Sequence, residues 1–427
     1  MTEPNRRLYH EPARDVPIRW SAEVVVCGGG PAGTAAAIAA ARQGAHTILL
    51  ERYGCLGGLA TGGLVLVLPA FRQGGRQTIG GLGLELRERL AATGEAVVHA
   101  GGDDSAFDPE ALKWLSVRLC REAGVKLLHH VWVAGVMADR GRVRGVVVES
   151  KAGRLAVEAQ VVVDTTGDGD VFAAAGAAFE ASRQGIGLPF RLANVDYEQW
   201  RQADRQDPLG VAQALQAAIE VGGWEGFLHM TPMPTPDGLL WVNNALRSLD
   251  GLDPEALTWV ETEGREAIRR TIEELRARVP GFERAWLVDT ASQVGVRRAR
   301  RLTGRYVLTE EDVSQPDRRF EDAVGRGNDY RRPDIAYDLP YRALLPREVG
   351  GLLTAGRCLS CTDEALEPLR EIHICWVTGQ AAGTAAALAV QSACEPAEVS
   401  VTALQARLRE AGAVFGPPSE PEPSRPL

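Results

Sequence analysis

Residues Glu23–Glu51 read EVVVCGGGPAGTAAAIAAARQGAHTILLE. The β-branched run Glu23–Cys27 is a short strand, and the glycines after it form a turn. The alanine-rich stretch that follows predicts a helix starting at Pro31 and stopping at Gly44, the positions helix ends favour. HTILLE then reads as a second strand, so the stretch is a βαβ unit. Gly28, Gly30 and Gly33 satisfy G-x-G-x-x-G between that strand and that helix. The first permits a tight turn, the second lets the backbone approach a pyrophosphate, and the third lets helix and strand pack closely. Free N–H groups at the helix N-terminus suit the phosphates. Glu51 ends the second strand and can accept two hydrogen bonds from ribose hydroxyls. A 2′-phosphate there would be repelled. The unit therefore predicts an α/β dinucleotide-binding fold.

Outward from this unit, the chain has 427 residues, enough for two or three domains. Its 24% charged and 45% hydrophobic residues are ordinary for a globular chain, which excludes mainly disordered, collagen-like and coiled-coil classes. A net charge of −9 gives no global attraction for nucleic acid or anionic lipid. No apolar run is long enough to span a bilayer, so neither partner is expected. The start, MTEPNRRLYHEPARDVP, has no apolar h-region. With seven cysteines, an odd number, a reducing cytoplasmic location is expected. Further helices are expected at FDPEALKWLSVRLCREAG (Asp108 as N-cap, Pro109 first), at Ala212–Glu220 and at Pro254–Ala277. Glycine-rich texture fades after about residue 178 and returns near 345. The organisation expected is a flexible arm over 1–20, a first domain split between 21–178 and 345–412, an inserted α+β domain over 179–344, and a disordered proline-rich tail over 413–427.

The glycine unit does not stand alone. VVVDTTGDGDVFAAAGA (Val161–Ala177), VGVRRARRLTGRYVLTEEDV (Val294–Val313), LPYRALLPREVGGLLTAGRCLS (Leu339–Ser360) and TGQAAGTAAALA (Thr378–Ala389) follow in order. With Val24–Gly63 they make the chain resemble the FAD-dependent oxidoreductases of the glutathione-reductase-like superfamily. More narrowly, it resembles single-chain bacterial members related to flavoprotein subunits of heterodisulfide reductase and fumarate reductase. The resemblance runs from near residue 20 to 390. It implies FAD, held in a Rossmann-like domain, with an inserted domain for the substrate. By that resemblance Gly28, Gly30 and Gly33 cradle the pyrophosphate and Glu51 holds the adenosine ribose, with Pro31, Ala32 and Arg52 as further cofactor-binding residues beside them. The loop containing Cys55, Gly57, Gly58, Ala60 and Thr61 runs along the pyrophosphate and the flavin edge. Val133 lies by the adenine, Thr166, Gly167 and Asp168 beside the dinucleotide, and Gly356 and Arg357 near the ribityl chain. Gly379, Gln380, Ala381, Ala382 and Gly383 would open a helix at the flavin pyrimidine ring, where a helix dipole stabilises the negative charge of reduced flavin.

Chemistry beyond the flavin is more open. His373, with Arg370 and Glu371 beside it, is a candidate base that takes a substrate proton as hydride leaves for flavin N5, and a hydrogen-bonded core histidine is the other reading. Arg191 suits an anionic substrate group. His229, Asn194 and Asn243/Asn244 are further candidates for orienting a substrate. Cys55 is either a thiol nucleophile, a covalent flavin attachment point or a small buried residue. Cys358-x-x-Cys361 is either a redox dithiol or packed small residues. Adding His373 and Cys375 gives a spacing too tight for structural zinc, so no metal is expected. The run Arg297–Arg301 reads as arginines paired with acids or turned to solvent. The function expected is an FAD-dependent dehydrogenase or oxidase of a small molecule, with the electron acceptor open among oxygen, a quinone, a carrier protein and transiently visiting nicotinamide. Alternatives are a flavin monooxygenase (though a GDAAH-like late motif is missing), an electron-transfer subunit with a protein partner, and a thiol–disulfide reductase using Cys358 and Cys361. The sequence leaves the oligomeric state open.

Overall fold

The computed structural model describes residues 8–73, 75–98, 105–234, 238–316 and 318–416. Its first elements are β1 (Ile18–Cys27), α1 (Pro31–Arg42), β2 (Thr47–Glu51), α2 (Gly81–Ala92) and α3 (Pro109–Glu122). β3 (Lys126–His129), β4 (Trp132–Asp139), β5 (Arg142–Ser150) and β6 (Gly153–Asp164) follow. They join in one mixed sheet in the order β3-β2-β1-β6-β5-β4. β1, β2, β3 and β6 run parallel, and β5 and β4 continue from β6 as an antiparallel meander. Both faces of the central strands are covered. Val24 and Val26 enter the core on one face, with α1, while Val25 and Cys27 enter the core on the other. Hence these strands are continuous apolar runs rather than alternating ones.

Ile18 already pairs with Ala156 and Trp20 with Val157, so residues 18–20 of the arm expected over 1–20 belong to β1. Asp108 caps α3 by accepting from the backbone N–H groups of Glu110 and Ala111, with Pro109 as the first helical residue.

The middle of the chain supplies β7 (Phe190–Ala193), α4 (Pro208–Gly222), β8 (Leu228–Pro232), β9 (Leu240–Asn244), α5 (Pro254–Arg278) and β10 (Trp286–Thr290). Its strands form an antiparallel sheet in the order β8-β9-β7-β10. A hairpin of β11 (Ala323–Asp329) and β12 (Arg332–Pro340) comes next. β13 (Leu352–Thr354) then returns to the first sheet, parallel to the end of β6. Of the tail expected from 413, Ala413 donates its N–H to Leu408 and the carbonyl of Gly416 accepts from Arg319, so this part is packed on the body. Residues 1–7 and 417–427 lie outside the described residues.

The long helix α6 (Ile372–Gln391) corrects one expectation. Its N-cap is Glu371, so Gly379, Gln380, Ala381, Ala382 and Gly383 lie inside the helix and not at its start. A Cβ on Gly379 would stand 2.1 Å from the Ala32 carbonyl oxygen, and one on Gly383 2.0 Å from that of Ala36. The small residues form the seam on which α6 lies against α1. Gln380 uses its side chain to accept from the Leu82 N–H (2.9 Å), tying α6 to α2. Residues 372–378 contain no breaker, so the helix extends toward its N-terminus past the glycine that had seemed to open it.

Candidate functional site

A cleft opens where the parallel strands end at their C-terminal edge. Such edges are where open α/β sheets take ligands. The turn after β1 forms its floor. Gly28 has φ +102°, and a Cβ there would meet the Thr165 carbonyl at 2.5 Å. A Cβ on Gly33 would fall 1.7 Å from the Gly28 carbonyl oxygen, so only glycine allows α1 to pack on its own strand. Gly30 differs: a Cβ there would find nothing nearer than the Gly58 Cα at 4.0 Å, because this position faces the cleft.

Glu51 Oε2 accepts from the Gly29 N–H and Oε1 from the Tyr53 N–H, both at 2.7 Å. The carboxylate thus fixes the turn, and each oxygen keeps a second lone pair for a ligand hydroxyl. Arg52 stacks over Tyr53 and Trp132, and with Val131 and Val133 it walls one end of the cleft. On the far side of the turn, the buried Asp164 accepts from the N–H groups of Thr166, Val171 and Phe172 and from the Thr166 hydroxyl. Desolvation raises its pKa to about 6 against those hydrogen bonds. It shapes the loop that presents Thr166 and Gly167 to the cleft. Asp168 forms an ion pair with Arg357 (2.8 Å), and Gly356 and Arg357 line the cleft after β13.

The cleft's lining thus includes Gly28, Gly30, Pro31, Ala32, Glu51, Arg52, Gly58, Val133, Thr166, Gly167, Gly356 and Arg357. Gly33, Gly57, Ala60, Thr61 and Asp168 support it from behind: Gly57 donates to the Gly29 carbonyl, and the Thr61 hydroxyl donates to Leu56. The donor set fits FAD. Gln293 Oε1 is a buried acceptor with no partner that lines the cleft, and the Gly30 cradle would be filled by a Cβ.

A second cavity adjoins the first. Leu59, Val65, Arg297, Arg370 and Glu371 line both. Its wall also includes residues of β8 and β9 (Leu228, His229, Trp241, Asn243), the Pro69–Gln73 segment, the β11 hairpin (Asp329, Tyr330) and the acids Glu225 and Glu367. Arg370 pairs with Glu367 at 2.5 Å. Glu371 carries a carboxyl pushed above its ordinary range by burial, against the pull of Arg370.

Several expected catalytic residues are elsewhere. His373 is fully buried and lines neither cavity. Its Nε2 meets Asn328 Oδ1 at 2.7 Å and its Nδ1 has no partner. Burial pushes its pKa down to about 3, so it is a neutral core histidine and not a base in contact with substrate. Arg191 is held by Asp289 (2.6 and 3.0 Å) across β7 and β10, with Asp108 at 3.7 Å, and lines neither cavity. Its charge is spent on that bidentate pair. Cys55 is half-buried, 4.0 Å from the Thr61 hydroxyl, and lines neither cavity. Cys358 and Cys361 are buried, unpaired and in different hydrophobic clusters, and burial pushes both thiols up, away from thiolate chemistry. Asn244 is buried and bonds the Leu188 backbone in both directions, while His229 and Asn243 do line the second cavity. In the run Arg297–Arg301, Arg298, Arg300 and Arg301 pair with acids. Arg297 instead lines both cavities, which the sequence reading missed. Tyr330, Gln293 and Glu371 were missed as wall residues too. Only Glu371 carried a signal, as the residue just before a helix whose start was misplaced.

Among the described residues, no helix is long and apolar enough to cross a membrane. A profile of the family described as FAD dependent oxidoreductase matches residues 23–408. Two curated relatives are thiamine thiazole synthases of Methanococcus maripaludis (28% identical over 162 residues) and Methanococcus vannielii (30% over 159). Each match covers 34% of this chain and 56% of the relative, so the chain spans little more than half the length of these proteins. A solved structure of a geranylgeranyl bacteriochlorophyll reductase-like protein from Thermoplasma acidophilum aligns with a TM-score of 0.51 at 15% identity. That alignment covers 92% of this chain and 83% of the other, a likeness of fold. With a family match that spans almost the whole sheet, both cavities and the helix behind them, the chain belongs to the FAD dependent oxidoreductase family, enzymes whose cofactor is FAD.

Proposed function

We propose that the protein oxidises a small organic molecule held in the second cavity while FAD occupies the first cleft. The single observation that carries this reading is the shared wall of Leu59, Val65, Arg297, Arg370 and Glu371, which brings two sites of different character into contact. FAD supplies a two-electron acceptor for a hydride when bound. The chain's own residues do the rest. Main-chain groups at Gly28–Ala32 and the start of α1 receive the phosphates, and Glu51 takes the ribose hydroxyls. Gln293 Oε1 accepts a hydrogen bond from the cofactor's head. Leu59 and Val65 keep water from the boundary between the two sites, and the Arg370–Glu367 pair stiffens it. Oxygen or a carrier protein would serve as the electron acceptor. The seven unpaired cysteines support a reducing, cytoplasmic setting.

The test is the visible absorption spectrum of the purified protein, repeated on the supernatant after acid precipitation. A flavin spectrum released to the supernatant, identified as FAD, is the expected result. A colourless protein that takes up no FAD on incubation would overturn the reading.

A further inference from the structure

We propose that the wall shared by the two cavities recognises the carboxylate of a small organic acid through Arg297, with a hydrogen-bond donor on the same molecule facing Glu371. This deepens the proposed function and rests on it, because it names the class of substrate for the second cavity.

The argument starts from an unbalanced charge. Arg297 donates to the carbonyls of Gly185 and Asn244 (2.7 Å to the latter) and, at 3.5 Å, to Asn243 Oδ1. All three acceptors are neutral. Among the described residues no carboxylate lies within 4.0 Å of it, although Arg298, Arg300 and Arg301 in the same run each have one. Arg297 is half-buried, and a guanidinium partly withdrawn from water gains from a carboxylate or phosphate partner, since withdrawing an unpaired charge is costly. Burial and the nearby Arg370 lower its pKa only to about 10, so it remains a cation at neutral pH. These three bonds hold the guanidinium in place and leave two of its five N–H donors for a ligand.

Glu371 is the complementary half. It lines both cavities, and among the described residues its carboxyl makes no hydrogen bond and no ion pair within 4.0 Å. Arg297 and Glu371 each bias the other's titration, yet they do not pair. An unpaired cation and an unpaired carboxylate on one wall, close but apart, fit a ligand that offers an acid to one and an N–H or O–H to the other. Trp241, Phe227 and Leu228 supply apolar surface for the body of that ligand.

The experiment titrates the holoprotein with benzoate, 2-aminobenzoate and aniline. Dissociation constants are read from the flavin difference spectrum, and melting temperature is followed in parallel. Expected is tightest binding of 2-aminobenzoate, then benzoate, with aniline at least tenfold weaker than either. Arg297→Met should weaken both acids at least tenfold and leave aniline alone. Arg297→Lys, the safer variant for folding, should fall between. Glu371→Gln should remove the preference for 2-aminobenzoate over benzoate. Acids that bind no better than aniline, or acid affinities unchanged in Arg297→Met and Arg297→Lys, would overturn the proposal. So would a shift of the flavin midpoint potential in Arg297→Lys without a change in acid affinity, since the guanidinium would then serve the cofactor alone. If the chain proves to hold no flavin, the functional reading fails by itself, and acid-induced melting shifts still decide this site.

Discussion

The two cavities meet at one wall but are built from different material. The first is made of main chain: glycine turns, the start of α1 and the ends of parallel strands, with Glu51 and Asp164 buried behind them to hold the turns. The second draws on side chains from widely separated parts of the chain, among them Pro69–Gln73, β8 with β9, the β11 hairpin and the group Glu367, Arg370 and Glu371. A main-chain site depends on close approach, so it tolerates almost no added atom. A side-chain site depends on which groups are left without a partner, so its chemistry turns on single charges such as Arg297 and Glu371. The difference teaches that loss of the cofactor and loss of the substrate should have separate mutational signatures.

The largest effect should come from Gly33→Ala. Its Cβ would stand 1.7 Å from a backbone oxygen that no side-chain movement can relieve. A loss of more than about 3 kcal/mol is expected, read as a collapse of the denaturation midpoint together with flavin content. Asp164→Asn should come next. It turns an acceptor facing the Val171 and Phe172 N–H groups into an amide and should cost about 2–4 kcal/mol, with weakened cofactor retention. A variant that melted like the wild type would show that the loop does not depend on this carboxylate.

His373 gives a pH test of the divide between core and site. Its pKa falls from 6.5 to about 3 in the folded chain, so the unfolded chain binds more protons between those values. Stability is therefore fully present above about pH 6.5 and is lost on acidification, by up to about 1.4 kcal/mol per pH unit. His373→Asn should flatten that limb in melting curves between pH 4 and 6.5 and leave binding of benzoate unchanged. An unchanged acid limb would mean that His373 is not buried neutral.

The division between the sites also explains what the sequence could reveal. Gly28, Gly30, Gly33 and Glu51 were legible because close backbone approach permits one residue type at fixed spacing, and spacing survives in a linear string. The βαβ unit and the cap at Asp108 were legible for the same local reasons. Gly379–Gly383 were misread because a seam that lets α6 touch α1 uses the same small residues as a turn around a ligand. Arg191 was misread, and His373 stood between two readings, because chemistry alone does not reveal whether Asp289 or Asn328 already occupies a side chain. Arg297 looked like one arginine among four. Only the fold shows that its three neighbours in the run have carboxylates and it does not.

Gly30→Ala tests the central claim with the smallest disturbance to the fold. A methyl group there would project toward open cleft, with its nearest neighbour 4.0 Å away. The apoprotein should melt within about 1 kcal/mol of wild-type apoprotein. The measurement is FAD affinity of the two apoproteins, by fluorescence quenching, beside their melting curves. The account predicts matched melting with FAD binding at least tenfold weaker in the variant. Equal FAD affinity at matched stability would contradict it, because the cofactor would then lie somewhere other than against the turn after β1.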